Sequence, residues 1–184
     1  MEPGFLKAVV GALAAAWSLA AAPAFAQASE QAVKAAFVPK FIRYIDFPAA
    51  AQPVTGQPYY LCVIGNDPFG PLIDRAAASE VIDGHPVAVR RFANADAGAV
   101  AGCHLAFVAG TTSQATGAML ATLARQPTLT ITDERSGKPR GMVHFAVIEG
   151  RVRFHIDQAA AAQRGIVISS RLLALAIDVK QSAP

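Results

Sequence analysis

Apolar and polar positions recur along this chain with two different periods, and the change of period marks out its elements. Over residues 29–45, Val33, Ala36, Phe37, Phe41, Tyr44 and Ile45 return three or four positions apart, with Lys34, Lys40 and Arg43 mostly off their stripe. This is the pattern of a helix with one face on a core. Pro39 lies inside it and has no N–H, so a kink or break after Val38 is expected. Residues 59–64 form a short apolar run closed by Gly65, which reads as a buried strand. Asp67 followed by Pro68 reads as an N-cap and first helical residue, opening a helix to about residue 78. A turn at Asp83-Gly84 leads to a strand over 86–92, and another strand over 104–109 follows Cys103. Ser113 caps a helix to residue 124, and residues 128–132 make the next strand. Strands alternating with helices predict a mainly parallel sheet.

The last third changes pattern. Residues 141–156 read as two strands around Glu149-Gly150, a two-residue hairpin turn. Such a turn sets the register, so that Ile148 faces Arg151 and, counting outward, His144 faces His155. Val143, Phe145, Val147, Val152, Phe154 and Ile156 then share a face suited to the core, and His144, Ala146, Ile148, Arg151, Arg153 and His155 share the other. Residues 157–164 form a short helix ended by Gly165, and Ser169 or Ser170 caps a last helix through residue 179. That helix is apolar on more than one side through Leu172, Leu173, Leu175, Ala176 and Ile177. Either it is buried deep in one subunit or it packs against a second copy. The expected fold class is α/β: a single domain with a mainly parallel central sheet, flanking helices and a C-terminal β-hairpin.

What precedes these elements changes the setting in which they are read. Residues 1–26 have the form of a cleaved secretory signal peptide, with Lys7 at its start, an apolar run over 8–22 and the small-residue site Ala24-Phe25-Ala26. The run is shorter than the roughly 20 residues that span a bilayer, so no membrane insertion of the mature chain is expected. Of 184 residues, removal of 26 leaves 158, one domain over 27–184, exported to an oxidising compartment such as the periplasm. Hydrophobic content of 53% with 16% charged residues describes a packed globule, and a net charge of +3 from scattered basic residues gives no reason to expect nucleic acid.

Export bears directly on the two cysteines. Cys62 and Cys103 are an even pair and read as a disulfide, either a staple closing a loop of about 40 residues or a redox switch. Catalytic constellations are scarce: no G-x-S-x-G and no H-E-x-x-H occurs, and the strand-to-helix loop at residues 65–70 lacks the Lys and Ser/Thr of a P-loop. Asp133, closing the fourth strand, is either a turn former or a functional group at a sheet end. Neither enzyme activity nor a cofactor is expected. The facing pair His144 and His155, with Asp157 one step along and Arg153 beside them, either holds a transition metal or an anion or is simply a solvated polar face.

A set of short motifs carries a resemblance. Val33-Lys34-Ala35-Ala36-Phe37, Phe47-Pro48, Leu61-Cys62-Val63-Ile64-Gly65 with Asp67-Pro68-Phe69-Gly70, and Cys103-His104 are followed by Gly141-Met142-Val143-His144-Phe145 and Gly150-Arg151-Val152-Arg153-Phe154. Ile168-Ser169-Ser170-Arg171-Leu172-Leu173 with Leu175-Ala176 closes the series. Their order and spacing resemble the YfiR family of periplasmic proteins over nearly the whole mature chain. The resemblance implies a dimeric, non-enzymatic regulator that binds the periplasmic sensor portion of an inner-membrane diguanylate cyclase and represses it, so that release raises cyclic-di-GMP and favours biofilm. It also implies that Cys62 and Cys103 match one of the family's disulfides, while a second, later pair is missing. Pro39, His144 and His155 depart from the family pattern.

Overall fold

A computed structural model describes residues 29–181; the signal peptide expected over 1–26 lies outside them. The first helix, α1 (Glu30–Phe37), opens where the Ser29 hydroxyl accepts the Ala32 N–H at 3.2 Å. It stops before Pro39, whose ring cannot donate to the helical ladder, and the chain tightens into a 3₁₀ helix over Pro39–Tyr44. There follow β1 (Ile45–Asp46), β2 (Tyr59–Gly65), α2 (Pro71–Ala78), β3 (Val81–Ile82), β4 (His85–Phe92) and β5 (Leu105–Ala109). The second half adds α3 (Ser113–Leu123), β6 (Leu129–Asp133), β7 (Val143–Ile148), β8 (Arg151–Asp157), α4 (Gln158–Ala162), β9 (Val167–Ile168), α5 (Ser170–Leu173) and β10 (Val179–Lys180).

The strands build an eight-stranded sheet in the order β10-β8-β7-β6-β5-β2-β4-β3, and β1 pairs separately with β9. From β4 through β2, β5 and β6 to β7 every neighbouring pair is parallel, with antiparallel β3 at one edge and the β7–β8 hairpin toward the other. Strand order reverses around β2, which places α1, α2, α4 and α5 on one face and α3 on the opposite one, a doubly wound arrangement. The hairpin has the register that its turn requires, Ile148 opposite Arg151 and His144 opposite His155.

Three elements differ from the sequence expectation, two because a different local bond wins and the third because a tertiary bond competes with the local signal. Asp67-Pro68 does not open α2. The Asp67 carboxylate instead accepts the N–H groups of Phe69 and Gly70 at 2.8 and 3.1 Å, closing a turn that drops Phe69 edge-on against Phe107, 4.6 Å between centroids. Pro71, three residues later, is the proline in the first turn of α2, and for α3 the capping side chain is Thr112 rather than Ser113. The last helix ends at Leu173, not at residue 179. The outer edge of β8 would otherwise leave ladder groups unpaired. The chain therefore unwinds so that the Ile177 N–H donates to the Phe154 carbonyl at 2.8 Å and Val179 pairs with Ile156.

The larger core lies on the α1/α2 face, around Phe41, Phe107, Phe145 and Phe154. The smaller one lies under α3 and contains the disulfide that joins Cys62 in β2 to Cys103 just before β5, Cα atoms 5.9 Å apart. Both cysteines are buried among Ile64, Val100, Met119 and Leu123. Beside them the buried His104 accepts the Tyr60 N–H on Nδ1 at 2.9 Å and packs edge-on against Phe47 and Tyr59; burial lowers its pKa. A bond closing a 41-residue separation restricts the unfolded chain, so replacing both cysteines by alanine is expected to lower the unfolding free energy by about 4 kcal/mol in urea titrations.

Candidate interaction surface

The orientation of α1 is decided by one charged side chain. Lys34 projects inward, 1% exposed, and its Nζ meets the Asp133 carboxylate at 2.9 Å and the Glu30 carboxylate at 2.5 Å. Asp133 sits at the C-terminal end of β6, equally buried, and its other oxygen accepts the Arg135 N–H and the Ser136 hydroxyl at 3.0 and 3.2 Å. Glu30 is held in turn by Arg135 at 3.2 Å. A charge this deep requires partners of opposite sign and hydrogen bonds to its remaining atoms, and both are present here.

This seating turns α1 away from the orientation its apolar stripe suggests. The buried residues are Lys34, Ala35, Val38, Pro39, Phe41, Ile42 and Ile45, whereas Ala36 and Phe37 are exposed and Val33 is half-buried. The sequence pattern assigned Lys34 to solvent and Phe37 to the core, and both assignments are corrected. A signal for the true face exists: Lys34, Val38 and Phe41 share the i, i+4, i+7 spacing, and Asp133 ends an otherwise apolar and threonine-rich strand. Reading it requires knowing that the two charges meet across 99 residues.

The displaced apolar residues form a continuous surface. Ala32, Val33, Ala36 and Phe37 line a shallow depression beside Lys40, and Phe37 also closes a second one, of about 280 Å³, with Val152, Phe154, Ala174 and Leu175. Phe37 is 37% and Leu175 57% exposed, and the exposed Val147 pairs with Val152 on the same face of the hairpin. Leu172, by contrast, is buried. The two readings of the C-terminal apolar run thus divide between residues: Leu172 belongs to the core and Leu175 faces outward. Apolar exposure gathered at one place, rather than scattered, is the usual mark of a binding surface.

The hairpin residues singled out from the sequence are only partly brought together. His144 and His155 face each other, ring centroids 6.3 Å apart. His144 is not on a solvated face: it is buried, its Nδ1 shares a 2.9 Å hydrogen bond with the Thr132 hydroxyl, and the segment before β7 crosses beside it, where the Gly141 N–H donates to the same hydroxyl. His155 pairs through Nδ1 with Asp178. Asp157 caps α4 through the Ala160 N–H at 2.8 Å and pairs with Lys180 at 3.0 Å, and Arg153 points to solvent at the rim of the apolar depression. Among the described residues no three His, Cys, Asp or Glu side chains converge as a metal ligand set would.

The loop at residues 65–70 is likewise occupied by its own side chains. Asp67 uses its carboxylate on the loop's N–H groups and on Arg91, which also forks onto Asp74 at 2.7 and 2.9 Å and reaches the Gly70 carbonyl. That hydrogen bond from Arg91 holds the Asp74 carboxyl below its usual range. An anion would have to displace these contacts. Among the described residues no helix is long and apolar enough to cross a membrane.

Comparison with known proteins adds one match: the family described as YfiR/HmsC-like aligns with residues 31–177. No curated protein matches the chain.

Two outcomes follow from the buried groups. Lys34→Ala leaves Asp133 charged and unpaired, so a loss of about 3–5 kcal/mol is expected in denaturant titrations, and Lys34→Met combined with Asp133→Leu is expected to cost less than Lys34→Ala alone. Burial, reinforced by Arg140 and His155, lowers the His144 pKa from 6.5 to about 4, so the fold favours the neutral imidazole. Its contribution is complete above about pH 6.5 and is lost as pH falls toward 4, up to roughly 3 kcal/mol. Urea midpoints measured across that window are expected to fall less steeply for His144→Asn than for the wild type.

Proposed function

Because the chain belongs to the YfiR/HmsC-like family, we propose that it is an exported regulator that binds the periplasmic region of an inner-membrane diguanylate cyclase and keeps it repressed. Release then raises cyclic-di-GMP and favours biofilm. The observation that carries this reading is the family match over residues 31–177, which runs from α1 through α5 and takes in the apolar surface around Phe37. The output of such a protein is occupancy of a partner, and its chemistry is that of an interface: a rigid sheet, a seated helix and an uncovered apolar patch. Cleavage of the 1–26 leader delivers the domain to the compartment where the partner's sensor region lies. The Cys62–Cys103 bond, buried in the smaller core, acts in this reading as a staple, since a reductant reaches it only after the segment ahead of β5 opens. Self-association into a homodimer is part of the same proposal.

Deleting the gene is expected to raise cellular cyclic-di-GMP, and supplying the wild-type chain is expected to restore it. Phe37→Glu, exported at the same level, is expected not to restore it, because a carboxylate would have to be desolvated at the patch. Unchanged cyclic-di-GMP on deletion would remove the basis of the proposed repression.

A further inference from the structure

The hairpin leaves one stretch of backbone without a neighbour among the described residues. In the antiparallel β7–β8 ladder, the N–H and C=O groups of alternate residues turn toward β7, as the Asp157 N–H to Met142 carbonyl bond at 2.7 Å shows, and those between them turn outward. The outward groups of Phe154 and Ile156 are met by Ile177 and Asp178, but β10 reaches only Ile156 and Asp157. Among the described residues no strand lies opposite Val152, so its N–H and C=O and the Phe154 N–H line an open edge.

Side chains on the two faces of that edge differ sharply. On one face lies the apolar depression formed with Phe37 and Leu175. On the other stand Arg151 and Arg153, both exposed and, among the described residues, in no ion pair. Two such edges from copies of this chain would bring arginines against arginines, which disfavours self-pairing. Natural edge strands also use cations to repel like edges, and here the same cations select an opposite charge.

We infer that the Arg151–Phe154 edge of β8 takes up an extended acidic segment of a partner protein as an added strand, acidic side chains facing Arg151 and Arg153 and alternate apolar side chains entering the depression beside Phe37. This deepens the proposed regulatory function and rests on it for the partner's identity, though not for the chemistry of the segment. Main-chain bonds supply attachment and the alternation supplies selection.

The test uses the whole mature chain and two probes: a synthetic peptide of about nine residues alternating glutamate with valine, and the purified periplasmic region of the cyclase. Saturable, salt-sensitive peptide binding with slowed hydrogen exchange at the Val152 and Phe154 amides supports the edge. That binding is expected to weaken at least about tenfold in Arg151→Glu with Arg153→Glu and to vanish in Val152→Pro, which removes the outward N–H, while Val152→Ala, which keeps that N–H and trims only one wall of the depression, is expected to weaken it far less. The double arginine variant alters exposed groups only, so it reports on binding even if the proline variant fails to fold. No peptide binding, or slowed exchange elsewhere, overturns the inference. So does cyclase binding that is indifferent to the arginine reversal, and so does a homodimer that Val152→Pro dissociates. A peptide that binds at the edge while the cyclase region does not bind at all leaves the edge standing and overturns the proposed partner.

Discussion

The contact between Lys34 and Asp133 sets the terms for the rest of the molecule. A lysine and an aspartate, each almost wholly withdrawn from water, are tolerable only as a pair with their remaining hydrogen-bonding capacity filled. Glu30, Arg135 and Ser136 fill it. The arrangement joins the first helix of the domain to the end of its fourth long strand, so the rotation of α1 about its own axis has one solution. That solution buries Val38, Phe41 and Ile42 and leaves Phe37 outside.

An exposed phenylalanine is therefore the consequence of a satisfied lysine, not an accident of packing. The same helix turn that places Lys34 over the Phe145 ring, 5.9 Å from its centroid, carries Ala36 and Phe37 toward the hairpin and the segment after α5. Around that point three parts of the chain distant in sequence contribute apolar atoms to one surface. The opposite face of the sheet is organised differently, with a disulfide in place of an aromatic core. One face is thus locked covalently, and the other is closed by packing and ends in an apolar depression.

The β7–β8 hairpin adjoins these features. It is a long antiparallel arm on a mainly parallel sheet, and only part of its outer strand is covered by β10. Covering that part required the C-terminal segment to abandon a helix that its composition favours. The uncovered part lies beside the Phe37 surface, so unpaired main chain and apolar side chains share one footprint.

Much of this architecture was legible from residue patterns because the forces concerned are local or periodic. The alternation of strands and helices, the break at Pro39 and the hairpin register at Glu149-Gly150 each follow from backbone geometry over a few residues. Family membership was legible too, from the order of short motifs. What sequence could not supply were the competitions settled across long distances: whether Asp67 caps a helix or closes a turn, whether residues 174–180 stay helical or complete an edge, and whether His144 meets solvent or Thr132. Lys34 is the clearest instance. By composition it belongs in water, and only the fold, by bringing Asp133 to it from 99 residues away, makes the interior its lower free-energy position and the exterior the place of Phe37.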